Sequence, residues 1–178
     1  MDETRWLTAQ CLGDLLLCAE GLIPARKTWL ITHAFLESAW RVIPAHAHQR
    51  LVEIQQAVNR GPDVAGTDRW ARTALWLFSK MTVYNSVRIL VGRERIDEGC
   101  LISYVRDIVG NPFRPLSPRS FSPTVLGIAE GIYRGDRAAF PILADALEED
   151  GAPEVALHCR EEVHCAGCHV IDWILQKN

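Results

Sequence analysis

The stretch GNPFRPLSPRSFSP, residues 110–123, holds four prolines in fourteen positions. A proline ring fixes φ, removes an N–H donor and pushes the preceding residue out of the helical region, so no regular helix crosses this stretch. On either side the apolar residues recur at helical spacing, with no clear strand and no repeat of fixed period. The expected fold is therefore all-α. A multi-helix bundle of about five helices occupies residues 1–109, a proline-rich connector 110–123, and a smaller C-terminal helical unit with a Cys/His cluster 124–178.

Immediately upstream, Leu101, Val105 and Ile108, with Ile96 or Cys100, share one helix face. Gly99 costs that helix about 1 kcal/mol relative to alanine if it lies in the interior. Further back, Trp70, Ala74, Leu77, Met81 and Tyr84 predict a long helix ending near Gly92, and GPDVAGTD reads as a loop before it. Leu51, Ile54 and Val58 predict another helix stopped by Gly61. Pro24 opens a helix carrying Trp29, Leu30, His33, Leu36, Glu37 and Trp40, with Pro44 at its end. Trp6, Leu7, Leu15, Leu16 and Cys18 predict a first helix broken near Gly13.

Downstream, Ser122 and Pro123 read as an N-cap and first-turn pair, and Val125, Ile128, Ala129 and Ile132 supply the apolar face that follows. Pro141 and Pro153 each open a helix, the first stopping near Gly151. Val170, Ile171, Trp173, Ile174 and Leu175 form a last apolar helix.

Composition narrows the class. The chain of 178 residues is 48% hydrophobic and 23% charged, values of an ordinary globular protein with room for a sizeable core. A net charge of −3 gives no general attraction to nucleic acid or anionic lipid. Only a stripe of Arg41, Arg50, Arg69, Arg72 and Arg88 on one face would reverse that. No apolar run is long enough to span a bilayer, and the acidic start MDETRWL lacks a signal-like pattern, so no membrane partner and a cytoplasmic location with reduced thiols are expected. The six cysteines then argue against a disulfide framework, which belongs to short secreted chains. Cys11 and Cys18 share a helix face and read as packing residues.

The chemistry concentrates in HCREEVHCAGCH, residues 158–169, which holds His158, Cys159, His164, Cys165, Cys168 and His169. Cys165 and Cys168 have the spacing of a zinc knuckle, because two residues between thiols let both face one ion. Cys159 with His164, or His158 with His169, would complete a tetrahedron. A structural zinc site commonly pairs two such knuckles, and only one is present. A thioredoxin-like redox site also uses CxxC, but wants a strand before it, and none is expected. The favoured expectation is plainer: His164 hydrogen-bonds a neighbouring loop, and Cys168 is a small buried residue in a packed chain end.

Other features read as ordinary structure. His33 and Glu37 are four apart on one helix without a third ligand, as in a core histidine with a polar partner. His46 and His48 follow Pro44 and are expected in solvent. Asp145, Glu148, Glu149 and Asp150 form an acidic run on a solvent face. Arg114 and Arg119 flank prolines and suit a carboxylate or phosphate, and Asp107 is expected to pair with Arg106 or Arg114. No nucleotide-binding, EF-hand, zinc-protease or nucleophile-elbow motif is present.

The segments RDIVGNPFRP, FPILADALEEDGAPEVALHCR and HCAGCHVIDWIL resemble a family of uncharacterised proteins multiplied as paralogues in planctomycete bacteria. In that family the corresponding segments read RDIFGNPFRP, LPILADALEDAG and HxxGCWxxDLLL. The N-terminal RKTWLITHAFLESAWRVI is similar in kind, and the likeness is specific from Arg106 onward. His164 and Cys168 match the pattern. Cys165 is additional, His169 replaces a tryptophan, and THAFLE replaces a cysteine-rich run in the second helix. The resemblance implies no activity. Together these readings predict a non-enzymatic helical module that binds another protein. The alternative is a zinc-binding module or metal-dependent enzyme using residues 158–169.

Overall fold

The computed structural model of the chain describes residues 3–19, 21–38, 98–165 and 167–177. The helices expected around 51–58 and 70–84, the loop between them, His46, His48 and the arginine stripe lie outside these residues. Among the described residues every regular element is helical and there is no strand, so the fold is all-α. The chain divides into two compact units, Met1–Val105 and Arg106–Asn178.

In the first unit, α1 spans Glu3–Thr8, α2 Leu12–Cys18 and α3 Ala25–Ser38, and most of α4, Glu98–Val109, also belongs here. The break between the first two helices falls at residues 9–11 rather than at Gly13, which lies inside α2. The reason is capping. Cys11 is extended, its Sγ accepts the Asp14 N–H at 3.4 Å, and Glu98 Oε1 accepts the Leu12 N–H at 2.8 Å. Two of the donors that a helix start leaves without a partner are met in this way. Trp6, Leu12, Leu15, Leu30 and Phe35 are buried here. Gly99 falls in the first turn of α4, where it interrupts no helix interior. His33 is buried, with Glu37 Oε2 3.6 Å from its Nδ1, as a core histidine with a polar neighbour.

The second unit contains the last turn of α4, then α5 (Pro123–Tyr133), a 3-10 turn (Arg137–Ala139), α6 (Phe140–Glu149), α7 (Pro153–Cys159) and α8 (His169–Ile174). Ser122 caps α5 by accepting the Val125 N–H at 3.3 Å, with Pro123 in the first turn. Pro141 and Pro153 stand in the first turns of α6 and α7. Helix α6 packs between α5 and α7, and α8 lies against α5. Their shared core includes Val125, Ala129, Phe140, Leu143, Leu147, Val155, Val170 and Ile174. Each fully buried leucine or valine contributes about 1.5–3 kcal/mol relative to exposure.

Residues 110–122 of the proline-rich stretch carry no helix and are held along this unit. Trp173 Nε1 donates to the Ser117 carbonyl at 2.9 Å, and Phe121 meets Trp173 edge-on at 4.7 Å. Arg119 donates to the carbonyls of Asp150 and Gly151 at 2.6 and 3.0 Å. Arg119 is thus engaged with backbone rather than poised for an anion. The acidic run is likewise partly engaged: Arg160 pairs with Asp145 at 2.7 Å and Glu148 at 2.5 Å, and Asp150 Oδ2 accepts the Ser122 N–H at 3.3 Å. No helix among the described residues is long and apolar enough to cross a membrane.

Candidate metal centre

Three segments of the second unit meet at one buried carboxylate. Helix α4 buries Leu101, Val105 and Ile108, and Asp107, one residue before Ile108, goes inward with them at 2% exposure. Helix α7 is short, and its last turn delivers His158 beside the buried Cys159. The loop that follows returns His164 and Cys168 to the same point before α8 begins.

The donor atoms converge. His158 Nε2 lies 3.0 Å from Asp107 Oδ1 and 3.2 Å from Cys168 Sγ. His164 Nδ1 lies 3.2 Å from the same Asp107 oxygen. One ligand atom from each of Asp107, His158, His164 and Cys168 lies within 4.8 Å of every other, so this buried group can hold a metal ion. Four donors at about 2.0–2.3 Å from a tetrahedral ion stand about 3.3–3.7 Å apart. The three separations of 3.0, 3.2 and 3.2 Å are somewhat shorter than the edges of such a tetrahedron, and the remaining pairs lie within 4.8 Å.

An outer layer orients these donors. The second oxygen of Asp107 accepts the Cys165 N–H at 2.6 Å, which leaves Oδ1 facing the histidines. Glu161 Oε2 lies 3.4 Å from His158 Nδ1, so a carboxylate stands behind the ring nitrogen that points away from the centre. His169 Nδ1 bonds the Asp107 carbonyl at 2.9 Å. The His164 ring stacks on Phe140, centroids 3.6 Å apart, and its Nε2 is buried without a hydrogen-bond partner.

The charges are coupled. Burial alone would raise the Asp107 carboxyl, but hydrogen bonds from His158, His164 and the Cys165 N–H outweigh it and hold the group well below the usual carboxylate range. Burial alone would lower His158, but the hydrogen bond and charge of Asp107, with Glu161 behind them, leave it raised. Burial chiefly, and then the charge of Asp107, push the Cys168 thiol well above its ordinary value. These directions make the His158 proton and the Cys168 thiol proton harder to lose beside the Asp107 carboxylate, so a cation at this point would compete with both.

Of the six residues singled out between 158 and 169, His158, His164 and Cys168 join the group. Cys159 turns into the hydrophobic core at 1% exposure, and burial pushes its thiol up to about 12. Cys165 contributes its backbone N–H, and His169 grips the Asp107 carbonyl; neither is in the converging group. Asp107 completes it in place of a second thiolate. The expected pairing of Asp107 with an arginine is replaced by its two histidine contacts. The available sequence signal was a carboxylate flanking the apolar stripe of α4, next to Ile108. All six cysteines are thiols without disulfides. Comparison with protein-family models, curated proteins and solved structures returned no match.

Proposed function

We propose that the C-terminal unit binds one zinc ion through Asp107, His158, His164 and Cys168, and that the ion fastens a non-enzymatic helical module. The observation that carries this reading is the sharing of His158 Nε2. It faces both the Asp107 carboxylate and the Cys168 sulfur, while a second histidine approaches the same carboxylate oxygen. Once Cys168 is a thiolate, one ring nitrogen with a single proton cannot serve both the sulfur and the Asp107 carboxylate, whereas an ion between them engages all the lone pairs. Glu161 behind His158 supports the reading, since ligating histidines commonly pass their second N–H to a carboxylate.

The donor set selects the metal. A thiolate and two imidazoles suit zinc and disfavour magnesium or calcium, which prefer oxygen. Carboxylate and thiolate together balance a dication. Four protein donors fill the tetrahedron, as in structural sites, whereas catalytic zinc keeps a position open. Structural zinc contributes about 10–16 kcal/mol in small domains, comparable with the whole stability of a domain. Elemental analysis of tag-free protein tests the proposal. About one zinc per chain is expected, lost in Cys168→Ser and Asp107→Asn and kept in Cys100→Ser. Protein that takes up no zinc after reconstitution refutes it.

A second reading gives the module its task, the docking of another protein. It rests on Ile142 and Leu157, 60% and 70% exposed on the adjacent helices α6 and α7. Loss of a specific partner on Ile142→Ser with Leu157→Ser, the fold being intact, supports it; unchanged capture refutes it.

A further inference from the structure

Cys165 lies beside the zinc group without entering it, and the turn it starts ends on a ligand. The Cys168 N–H donates to the Cys165 carbonyl at 3.3 Å, closing a four-residue turn. Gly167 has φ +84° within it, a conformation that glycine adopts without a steric cost. A turn of this kind brings its first and last Cα atoms within about 7 Å, and a disulfide spans about 4.4–6.8 Å. The two thiols differ in access. Cys168 is 1% exposed, while Cys165 is only partly buried. An oxidant arriving from solvent therefore meets Cys165 first. The same residue's N–H holds Asp107 Oδ2 at 2.6 Å, so a change at Cys165 is felt by two of the four donors.

We propose that Cys165 and Cys168 form a peroxide-operated release switch for the metal: oxidation to a Cys165–Cys168 disulfide withdraws the Cys168 thiolate and frees the zinc. The inference rests on the zinc reading above. The Cys165 sulfur attacks a peroxide oxygen, the O–O bond breaks, and a sulfenic acid and one water are formed. The Cys168 thiolate, leaving the zinc, attacks the sulfenic sulfur. The S–S bond forms as the S–O bond breaks, and hydroxide takes a proton to become a second water. In sum, one hydrogen peroxide, one thiol, one zinc-bound thiolate and one proton give one disulfide, two waters and a free zinc ion. Two sulfurs are oxidised and the peroxide is reduced. Asp107, His158 and His164 are left as a three-donor set, which holds zinc less tightly than four.

The test uses the full chain loaded with zinc, whose content is measured before any oxidant is added. Hydrogen peroxide is then introduced with a chromogenic zinc chelator, and the peptides are mapped by mass spectrometry. The expected result is release of the bound zinc in step with a Cys165–Cys168 disulfide, with rebinding after dithiothreitol. In Cys165→Ser, release normalised to the zinc loaded beforehand is slower by about tenfold or more, because the accessible thiol is gone. A wild-type chain that takes up no zinc before oxidation overturns the metal reading and the switch with it. A chain that loads zinc but keeps it after peroxide overturns the switch alone. So does a disulfide to Cys159 in place of Cys165, or release that Cys165→Ser does not slow.

Discussion

Gly110 meets the ring of His169 so closely that a Cβ at position 110 would stand 2.6 Å from His169 Cδ2. Gly110 also has φ +72°, a conformation that side-chain-bearing residues seldom adopt. The ring it faces is the one that bonds the Asp107 carbonyl. The turn after α4 is therefore built against a residue that bonds the candidate metal-binding group. Gly110→Ala is expected to destabilise the protein by about 1–3 kcal/mol and to weaken zinc binding. Urea denaturation with and without zinc measures both.

The Glu161 side chain is 62% exposed, and its carboxylate stands 3.4 Å from the outer nitrogen of His158. Glu161→Gln should therefore weaken zinc binding by about tenfold, the low end for outer-layer carboxylates, and leave the stoichiometry unchanged. Asp107→Asn removes a proposed ligand and should abolish stoichiometric binding. A competition titration against a chelator of known affinity separates the two outcomes.

The pH dependence of the metal-free protein follows from two opposite shifts. Asp107 is held below its unfolded value of 3.8, so its contribution is present above that pH and lost as the pH falls further. His158 is raised above 6.5, so its contribution is full below that pH and lost as the pH rises through the raised value. Thermal unfolding in chelator should therefore show a maximum between about pH 4 and 6.5. Zinc reverses the alkaline limb, because it needs a neutral imidazole and a thiolate. Stability that rises above neutral pH in zinc and falls in chelator is the expected pair of curves.

Arg119 ties the proline-rich stretch to the turn between α6 and α7 through two carbonyls. Arg119→Ala should cost about 1–2 kcal/mol and leave zinc stoichiometry intact, since it touches no donor. The midpoint of urea denaturation of the zinc-loaded protein checks this.

The helices of the second unit were legible because their signals are local. Ser122 with Pro123, Pro141 and Pro153 set starts, and spacing of apolar residues told which face turns inward. In α5 that spacing named Val125, Ala129 and Ile132, all buried, with Ile128 partly so. The break between α1 and α2 was misplaced because its cap depends on Glu98, 86 residues away from Leu12. The candidate site shows the same division. Its density of Cys and His drew notice to residues 158–169, and three of the six belong to the converging group. Sequence alone determined that the fold is all-α, where the C-terminal helices begin, and that cysteines and histidines cluster in residues 158–169. Only tertiary structure decided that Asp107, 51 residues before His158, meets it, while Cys159 next door is sent into the core. The physical reason is that helix periodicity orients a side chain about its own axis. Which side chains share a ligand depends on how α4, α7 and the loop before α8 pack together.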